Sequence, residues 1–330
     1  MEPTMNRRSL LLALPLLSLS LATLAQTQSD NILTLYVPYP PGGPSDVFAR
    51  ALTPGLGRQL HRTIIVENLA GASGSIAASK LLSRGNTADA VLFGSPTELV
   101  MAPAILKAVK YQPSDFRLVS LISKPPLGVY VRADLPANSI DELVAYAKAN
   151  KDKPLNYGSV GIGSVYHLAG DALVRAVGVN MTHVPYRGAT PLLQDLMGGQ
   201  LDLAFFPVDG NLAKMTTGGK MRVIGIAGPT RSPLFPNAGT FAESSTLPKF
   251  TTVDVWGGIF TSKATSDSAV QVLHRAVQAA MTEPETRKAM ELAAGVPLMP
   301  PMTLDQLANF YSVEITRYQE AAKRANLEAN

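Results

Sequence analysis

Cysteine is absent from all 330 residues. Its absence excludes a disulfide framework, a thiolate metal site, a cysteine nucleophile and a lipid-carrying cysteine at a cleavage site. Histidine is scarce, and the four present, His61, His167, His183 and His274, stand too far apart in sequence for metal-ligand spacing. Charge is thin as well: 29 basic and 25 acidic residues leave a formal net charge of +4 with no cluster of one sign. Such a balance argues against nucleic acid or an anionic membrane surface as a partner. A repeat with a period of roughly 20–50 residues is missing, which removes solenoids and propellers.

The one long apolar run, Leu10 to Ala25, follows Arg7 and Arg8 and ends on small residues. It reads as a secretory signal over residues 1–25, cleaved near Ala25–Gln26. A membrane span needs roughly 20 apolar residues, and this run is both shorter and interrupted by Pro15, Ser18 and Ser20. The paired arginines leave Sec and twin-arginine export both open. Losing Arg7, Arg8 and Glu2 from the 29 basic and 25 acidic residues leaves a mature charge of +3. About 305 mature residues suggest two domains.

From Asn31 onward, short β-branched runs alternate with helical patterns, which is the signature of an α/β fold with mostly parallel sheets. "ILTLYVPY", "TIIVEN" and "AVLFGS" read as strands, each followed by a helix, the third of these being "TELVMAPAILKAV". Ser139 with Glu142 forms a capping box ahead of another helix. A second α/β series starts at "PLNYGSV", and after "FTTVDVWGGIFTS" three helices close the chain without strands of their own. Those helices are assigned back to the first series. The expectation is two lobes, residues 26–125 plus 255–330 and residues 126–254, joined by crossovers near 124–131 and 251–259. Clefts between such lobes favour small ligands, and Trp256 in the second crossover is expected to pack the hinge.

Two loops carry the functional signal. In "YVPYPPGGPSD" a strand stops at prolines and glycines and a helix begins at once. With Gly43 as cap, Pro44 takes the first helical position, and the N–H groups of Ser45 and Asp46 are left without intrahelical partners. Tyr39, Gly42, Gly43, Ser45 and Asp46 then form an anion site at a positive helix end, or Asp46 merely complements the helix dipole in a structural turn. A second loop, "YGSVGIGS", sets Ser159, Gly161 and Gly163 ahead of a helix capped by Ser164. Two such loops facing each other would grip a carboxylate from both sides. Ala72, Ser95 and Arg187 lie on further loops expected to border the same cleft. Arg187 is either a bidentate carboxylate clamp or a surface arginine. His167 is expected to be hydrogen-bonded within its lobe, and Asp46 to hold its loop's amides or a bridging water.

Enzyme signatures are missing. "GSVGIGS" is neither a nucleophile elbow nor a Walker loop, and Tyr166 stands where a dinucleotide fingerprint needs its third glycine.

"YPPGGPSDVFAR", "VENLAGASGSI", "YQPSDFRLVSLI", "DELVAYAKAN", "LNYGSVGIGSVYHLAGD", "THVPYRGATPLLQDLMGGQLDLAF" and "GVPLMPPMTLDQLANF" run in the order seen in the Bug family of extracytoplasmic solute receptors. The chain resembles that family from about Ile32 to its C-terminus. The resemblance implies a two-lobed Venus-flytrap receptor of the periplasm, monomeric, without enzymatic activity, cofactor or metal. It implies too that a small carboxylate is passed to a membrane permease of a tripartite tricarboxylate transporter. Di- and tricarboxylates, acidic amino acids and aromatic acids all remain open as ligands. Alternatives are a receptor feeding a membrane sensor kinase and, more distantly, a secreted α/β hydrolase. Departures from the family pattern include "RGNTADAVLFGS", "GIFTSKATSDS" and Thr53-Pro54-Gly55, which is expected to interrupt the first helix.

Overall fold

The apolar and β-branched runs settle into two five-stranded sheets. The computed structural model describes residues 31–250, 254–294 and 298–325, so the expected signal segment lies outside the described residues. The first sheet holds β1 (Ile32–Val37), β2 (Thr63–Asn68), β3 (Ala90–Gly94), β4 (Phe116–Ser123) and β10 (Gly257–Ser262) in the order β2-β1-β3-β10-β4. The second holds β5 (Leu127–Arg132), β6 (Asn156–Ser159), β7 (Thr182–Pro185), β8 (Leu203–Pro207) and β9 (Met221–Ala227) in the order β7-β6-β8-β5-β9. This is the two-lobed α/β architecture that the alternation implied.

Pairing is parallel between β1 and both β2 and β3, and between β6 and both β7 and β8. One strand in each sheet runs against its neighbours, β10 in the first and β5 in the second. These are the strands made directly after each crossing. Gly257 pairs with Ser123 at the end of β4, and Leu127 with Pro207 at the end of β8. The carboxyl ends of the parallel strands therefore face the crossovers and the cleft, where α/β sheets collect ligands.

Burial follows the period of two. Leu33, Leu35 and Val37 face one core, where Phe48, Leu52 and Leu56 of α1 (Pro44–Leu60) join them. Tyr36 and Leu92 face the opposite core. Helices α2 (Ser75–Ser83), α3 (Ala102–Ile105), α4 (Ile140–Ala149), α5 (Val165–Val177), α6 (Ala189–Met197) and α7 (Gly210–Thr216) follow their strands. The closing helices α8 (Asp267–Thr282), α9 (Pro284–Ala294) and α10 (Leu304–Ala325) return to the first sheet: α8 packs on α1 and β4, and α10 on β4. No helix among the described residues is long and apolar enough to cross a membrane.

Two local expectations are corrected. Helix α1 runs through Pro54 without interruption. Pro54 is exposed, so the carbonyl it cannot bond remains open to water. On the opposite side Leu52 and Leu56 are buried, and Gly55 lets Thr286 approach so closely that an added Cβ would lie 2.9 Å from its Cγ2. Tertiary packing outweighs the helix penalty of proline. The helix expected over "TELVMAPAILKAV" is short: a wide turn, Thr97–Met101, leads into α3, and Leu106 is already extended.

The crossovers are tied together. Lys124 in the first forms a 3.0 Å ion pair with Asp254 in the second, and Arg317 of α10 reaches the same carboxylate at 3.0 Å. Burial would raise the pKa of Asp254, but Arg317 and Lys124 outweigh it and hold the carboxyl below its usual range. Trp256 is fully buried beside this cluster, packed as expected at the second crossover; its Nε1–H donates to Glu314 Oε2 at 2.8 Å, and its ring stacks on Phe260.

Candidate functional site

The loop after β1 is built around Asp46. Gly43 is extended (φ −77°, ψ 168°) and caps α1, Pro44 follows, and the Val47 N–H closes on the Gly43 carbonyl at 3.1 Å. Asp46 accepts from the Gly42 N–H at 3.0 Å, from Arg50 Nε at 3.0 Å and from Asn68 Nδ2 at 2.9 Å. Asn68 also donates to the Tyr39 carbonyl at 2.9 Å, so the loop is pinned to β2 as well as to itself. Burial alone would raise the Asp46 carboxyl, yet Arg50, the Gly42 N–H and Asn68 together bring it below the usual carboxylate range. Asp46 thus holds a loop amide, as its sequence position suggested.

Tyr39 and Ser95 turn toward a residue that the sequence reading passed over. Glu98 is completely buried; it accepts from Tyr39 Oη at 3.0 Å, from Ser95 Oγ at 2.8 Å and from the Ser95 N–H. Burial pushes its carboxyl up to about 7, against the opposing pull of the Ser95 and Tyr39 hydrogen bonds. A sequence signal for it did exist: Ser95-Pro96-Thr97-Glu98 is the Ser-x-x-Glu spacing of a capping box.

In the second lobe Ser164 caps α5, accepting from the His167 N–H at 3.2 Å. Ser159 is fully buried, accepts from the Gly161 N–H at 3.2 Å and lies 2.7 Å from His183 Nε2. His167 Nδ1 accepts from the Gly163 N–H at 3.2 Å, so it is bonded within its lobe as expected. Far apart in sequence, His167 and His183 stack with ring centroids 3.8 Å apart. Burial, then the neighbouring His167, pushes His183 down to about 3, so the pair is neutral and serves to shape the loop. Gly161 (φ +142°) and Gly163 (φ +76°) occupy backbone regions that favour glycine.

The lobes meet across the cleft, the first loop against the start of α6 and the second against the Gly71–Gly74 turn. Ser73 Oγ donates to the Ile162 carbonyl at 2.7 Å, Thr190 Oγ1 to the Pro41 carbonyl at 3.1 Å, and the Val165 N–H to Thr97 Oγ1 at 3.2 Å. Gly71 to Gly74 all have positive φ, including the non-glycine residues Ala72 (46°) and Ser73 (52°). A side chain in that region costs about 1–2 kcal/mol, and here the strain brings Ser73 to the opposite lobe.

Beside these contacts an interlobe cavity of about 590 Å³ opens between the Gly71–Ile76 segment, Leu106–Val109, Val160–Ile162 and Pro185–Arg187. Of the residues singled out from sequence, Ala72, Gly161 and Arg187 line it. Arg187 is exposed and, among the described residues, makes no ion pair. Tyr39 and Ser95 instead hold Glu98, while Gly42, Gly43, Ser45 and Asp46 belong to the start of α1. Ser159 and Ser164 are spent inside their own loop, and Gly163 admits Ile105, which an added Cβ would meet at 3.0 Å. No cluster of three or more potential metal ligands occurs among the described residues.

Two α/β lobes on paired crossovers, with loops interlocked over a cavity at the strands' carboxyl ends, define the class of bilobal solute-binding receptors. Residues 48–327 match the tripartite tricarboxylate transporter family receptor, and the chain belongs to that family. It is 30% identical over 334 residues to the "UPF0065 protein in tcbD-tcbE intergenic region" of Pseudomonas sp. (strain P51), covering 98% of this chain and 96% of the relative. Among solved structures it is similar to the periplasmic binding protein BugD, with TM-score 0.82 and 29% identity over 90% of this chain and 98% of that one. MatC (Rpa3494) from Rhodopseudomonas palustris, with bound malate, aligns at TM-score 0.79 and 28% identity over 88% and 98% of the two chains. The family and fold are those of solute-binding proteins.

Proposed function

We propose that this receptor captures a small carboxylate-bearing compound between its lobes in the periplasm and delivers it to the membrane permease of a tripartite tricarboxylate transporter. On this reading it performs no catalysis, binds no cofactor and works as a monomer. Residues 26–125 with 255–330 form one jaw and 126–254 the other. The observation that carries the proposal is Arg187: an exposed, unpaired guanidinium on the wall of an interlobe cavity. Opposite it the first turn of α2, with Ser75, adds the positive end of a nine-residue helix. The malate held by MatC supports the carboxylate class. Ala72 and Gly161 would contact the ligand directly. Tyr39, Gly42, Gly43, Ser45, Asp46, Ser95, Ser159, Gly163 and Ser164 would keep the two loops in shape around it.

Closure by rotation about the crossovers would shift the population toward the form that the permease recognises, by no more than the ligand's preference for the closed state. Isothermal titration of the signal-free protein with a panel of carboxylic acids and the matching amides tests the proposal. Acids are expected to bind and amides not; equal binding of both would overturn the carboxylate anchor. Uptake of the bound acid by cells carrying the permease, compared with cells lacking the receptor, tests delivery.

A further inference from the structure

The interlobe cavity is chemically one-sided. Ile76 is 47% exposed and Ile162 43% exposed, although few large apolar side chains among the described residues remain open to solvent. Both line this one cavity, Ile76 from the first lobe and Ile162 from the second. Leu106, Val109, Val160 and Pro185 extend the apolar wall. Two isoleucines left exposed on opposing jaws mark a surface kept for an apolar partner. Against this wall the polar groups are few. Arg187 is the single charged side chain in the lining, the Tyr186 hydroxyl is committed to Asp195 at 2.8 Å and the Ser73 hydroxyl to the Ile162 carbonyl at 2.7 Å, which leaves the neutral hydroxyls of Ser75 and Ser79 on α2.

We propose that the ligand is an apolar monocarboxylate, with an aliphatic or aromatic body. Its carboxylate rests on Arg187, and its hydrocarbon part fills the space between Ile76 and Ile162. The inference builds on the carboxylate-receptor reading and narrows it. One cation can pair one carboxylate. A second carboxylate carried among Ile76, Ile162, Leu106 and Val109 would lose its hydration and find only neutral hydroxyls, Ser75 and Ser79, and the end of α2 in place of a counter-ion, and burying a charge without a counter-ion is strongly unfavourable. The volume of about 590 Å³ is that of an ordinary small-molecule pocket and leaves room for an extended chain or one ring.

Hexanoate and adipate form the decisive pair, since they share chain length and differ by one carboxylate. Titration calorimetry is expected to show hexanoate binding at least about tenfold more tightly than adipate or malate. Affinity should rise about fourfold per added methylene from butanoate to octanoate. Arg187→Ala is expected to weaken every monocarboxylate about tenfold or more, with Arg187→Lys recovering part of the loss. The double variant Ile76→Ser/Ile162→Ser should flatten the chain-length dependence. Both isoleucines are exposed, so an unchanged melting temperature verifies the fold of that variant. Adipate or malate binding as tightly as hexanoate, or an affinity independent of chain length, overturns the inference while leaving the receptor reading intact. If no acid binds better than its amide, the receptor reading falls and this inference with it.

Discussion

Gly188→Ala separates the role of the closed jaws from the stability of a lobe. Gly188 caps α6 with φ +119° and ψ 179°, a region essentially reserved for glycine. An added Cβ there would lie 2.9 Å from Pro40 Cγ and nearer still to Cδ, deep inside van der Waals contact with a ring of the opposite lobe. Pro40 cannot retreat, because the neighbouring Tyr39 carbonyl is held by Asn68 at 2.9 Å and the Gly42 N–H by Asp46 at 3.0 Å. Backbone strain of about 1–2 kcal/mol is present whether the jaws are open or closed. Overpacking adds about 1–3 kcal/mol only when they close. Ligand affinity is therefore expected to fall between about fivefold and a hundredfold beyond any loss of stability. Gly178→Ala supplies the control: it has φ +70° at the end of α5, but nothing lies within 4 Å of its added Cβ. Calorimetric titration and thermal denaturation of both variants decide the matter. Both should melt earlier, and only Gly188→Ala should bind weakly. If Gly188→Ala binds within about twofold of the unaltered protein, the interlocked arrangement of Pro40 and Gly188 is not the one that holds ligand.

Trp256→Phe removes the donor to Glu314, a residue 4% exposed, and is expected to cost about 2–3 kcal/mol in urea unfolding with little change in ligand affinity; an affinity loss without destabilisation would contradict a purely structural hinge role. Glu98 keeps its proton to about pH 7 when folded, whereas the unfolded carboxyl titrates near 4.5. The folded state therefore binds more protons in this window, and stability falls as pH rises through it, by about 3 kcal/mol. Glu98→Gln should flatten part of that fall in denaturant titrations at several pH values; the buried Asp209, also pushed up to about 7, supplies the rest of the slope. Asp46 behaves in the opposite sense: its folded carboxyl lies below the ordinary 3.8, so its contribution is complete above that value and is lost as pH falls through the depressed range. Asp46→Asn should therefore destabilise the protein by about 1–3 kcal/mol at neutral pH and make it less sensitive to acid, which acid-unfolding curves would reveal.

Local patterns carried much of the architecture. Ser139 and Ser164 were identifiable as caps because a cap is decided by the few residues that follow it, and both hydroxyls accept the expected N–H. The glycines flanking Pro44 and Ser164 likewise marked loops ahead of helices, since positive φ and an N1 proline leave a mark in a handful of residues. Pro54 was misjudged for the same reason. Its local cost is real, but Thr286, more than two hundred residues downstream, packs against Gly55 and keeps the helix whole.

The candidate site was legible only in outline. Arg187 and the paired Gly/Ser loops stood out by composition, yet which of them face the cavity depends on how one lobe rests on the other. Ser159 looked like a ligand hydroxyl, but His183, stacked on His167, occupies it. Ile76 and Ile162 were not singled out in the sequence, and only their placement on opposing walls of the cavity suggests the apolar contact proposed above. Glu98 was passed over in the sequence; its burial, with Tyr39 and Ser95 as partners, raises its carboxyl to about 7.

By itself the sequence determined what short-range physics can decide: the alternation that makes two α/β lobes, the caps and glycine turns that begin their helices, and the absence of any cysteine or metal-ligand pattern. The tertiary structure decided what depends on contacts between distant segments. It set the mating of Ser73 with Ile162 and of Pro40 with Gly188, the burial that raises the Glu98 carboxyl, and the pairing of one cation with an apolar wall. Those properties arise where the two lobes meet, and no stretch of chain contains both sides of that contact.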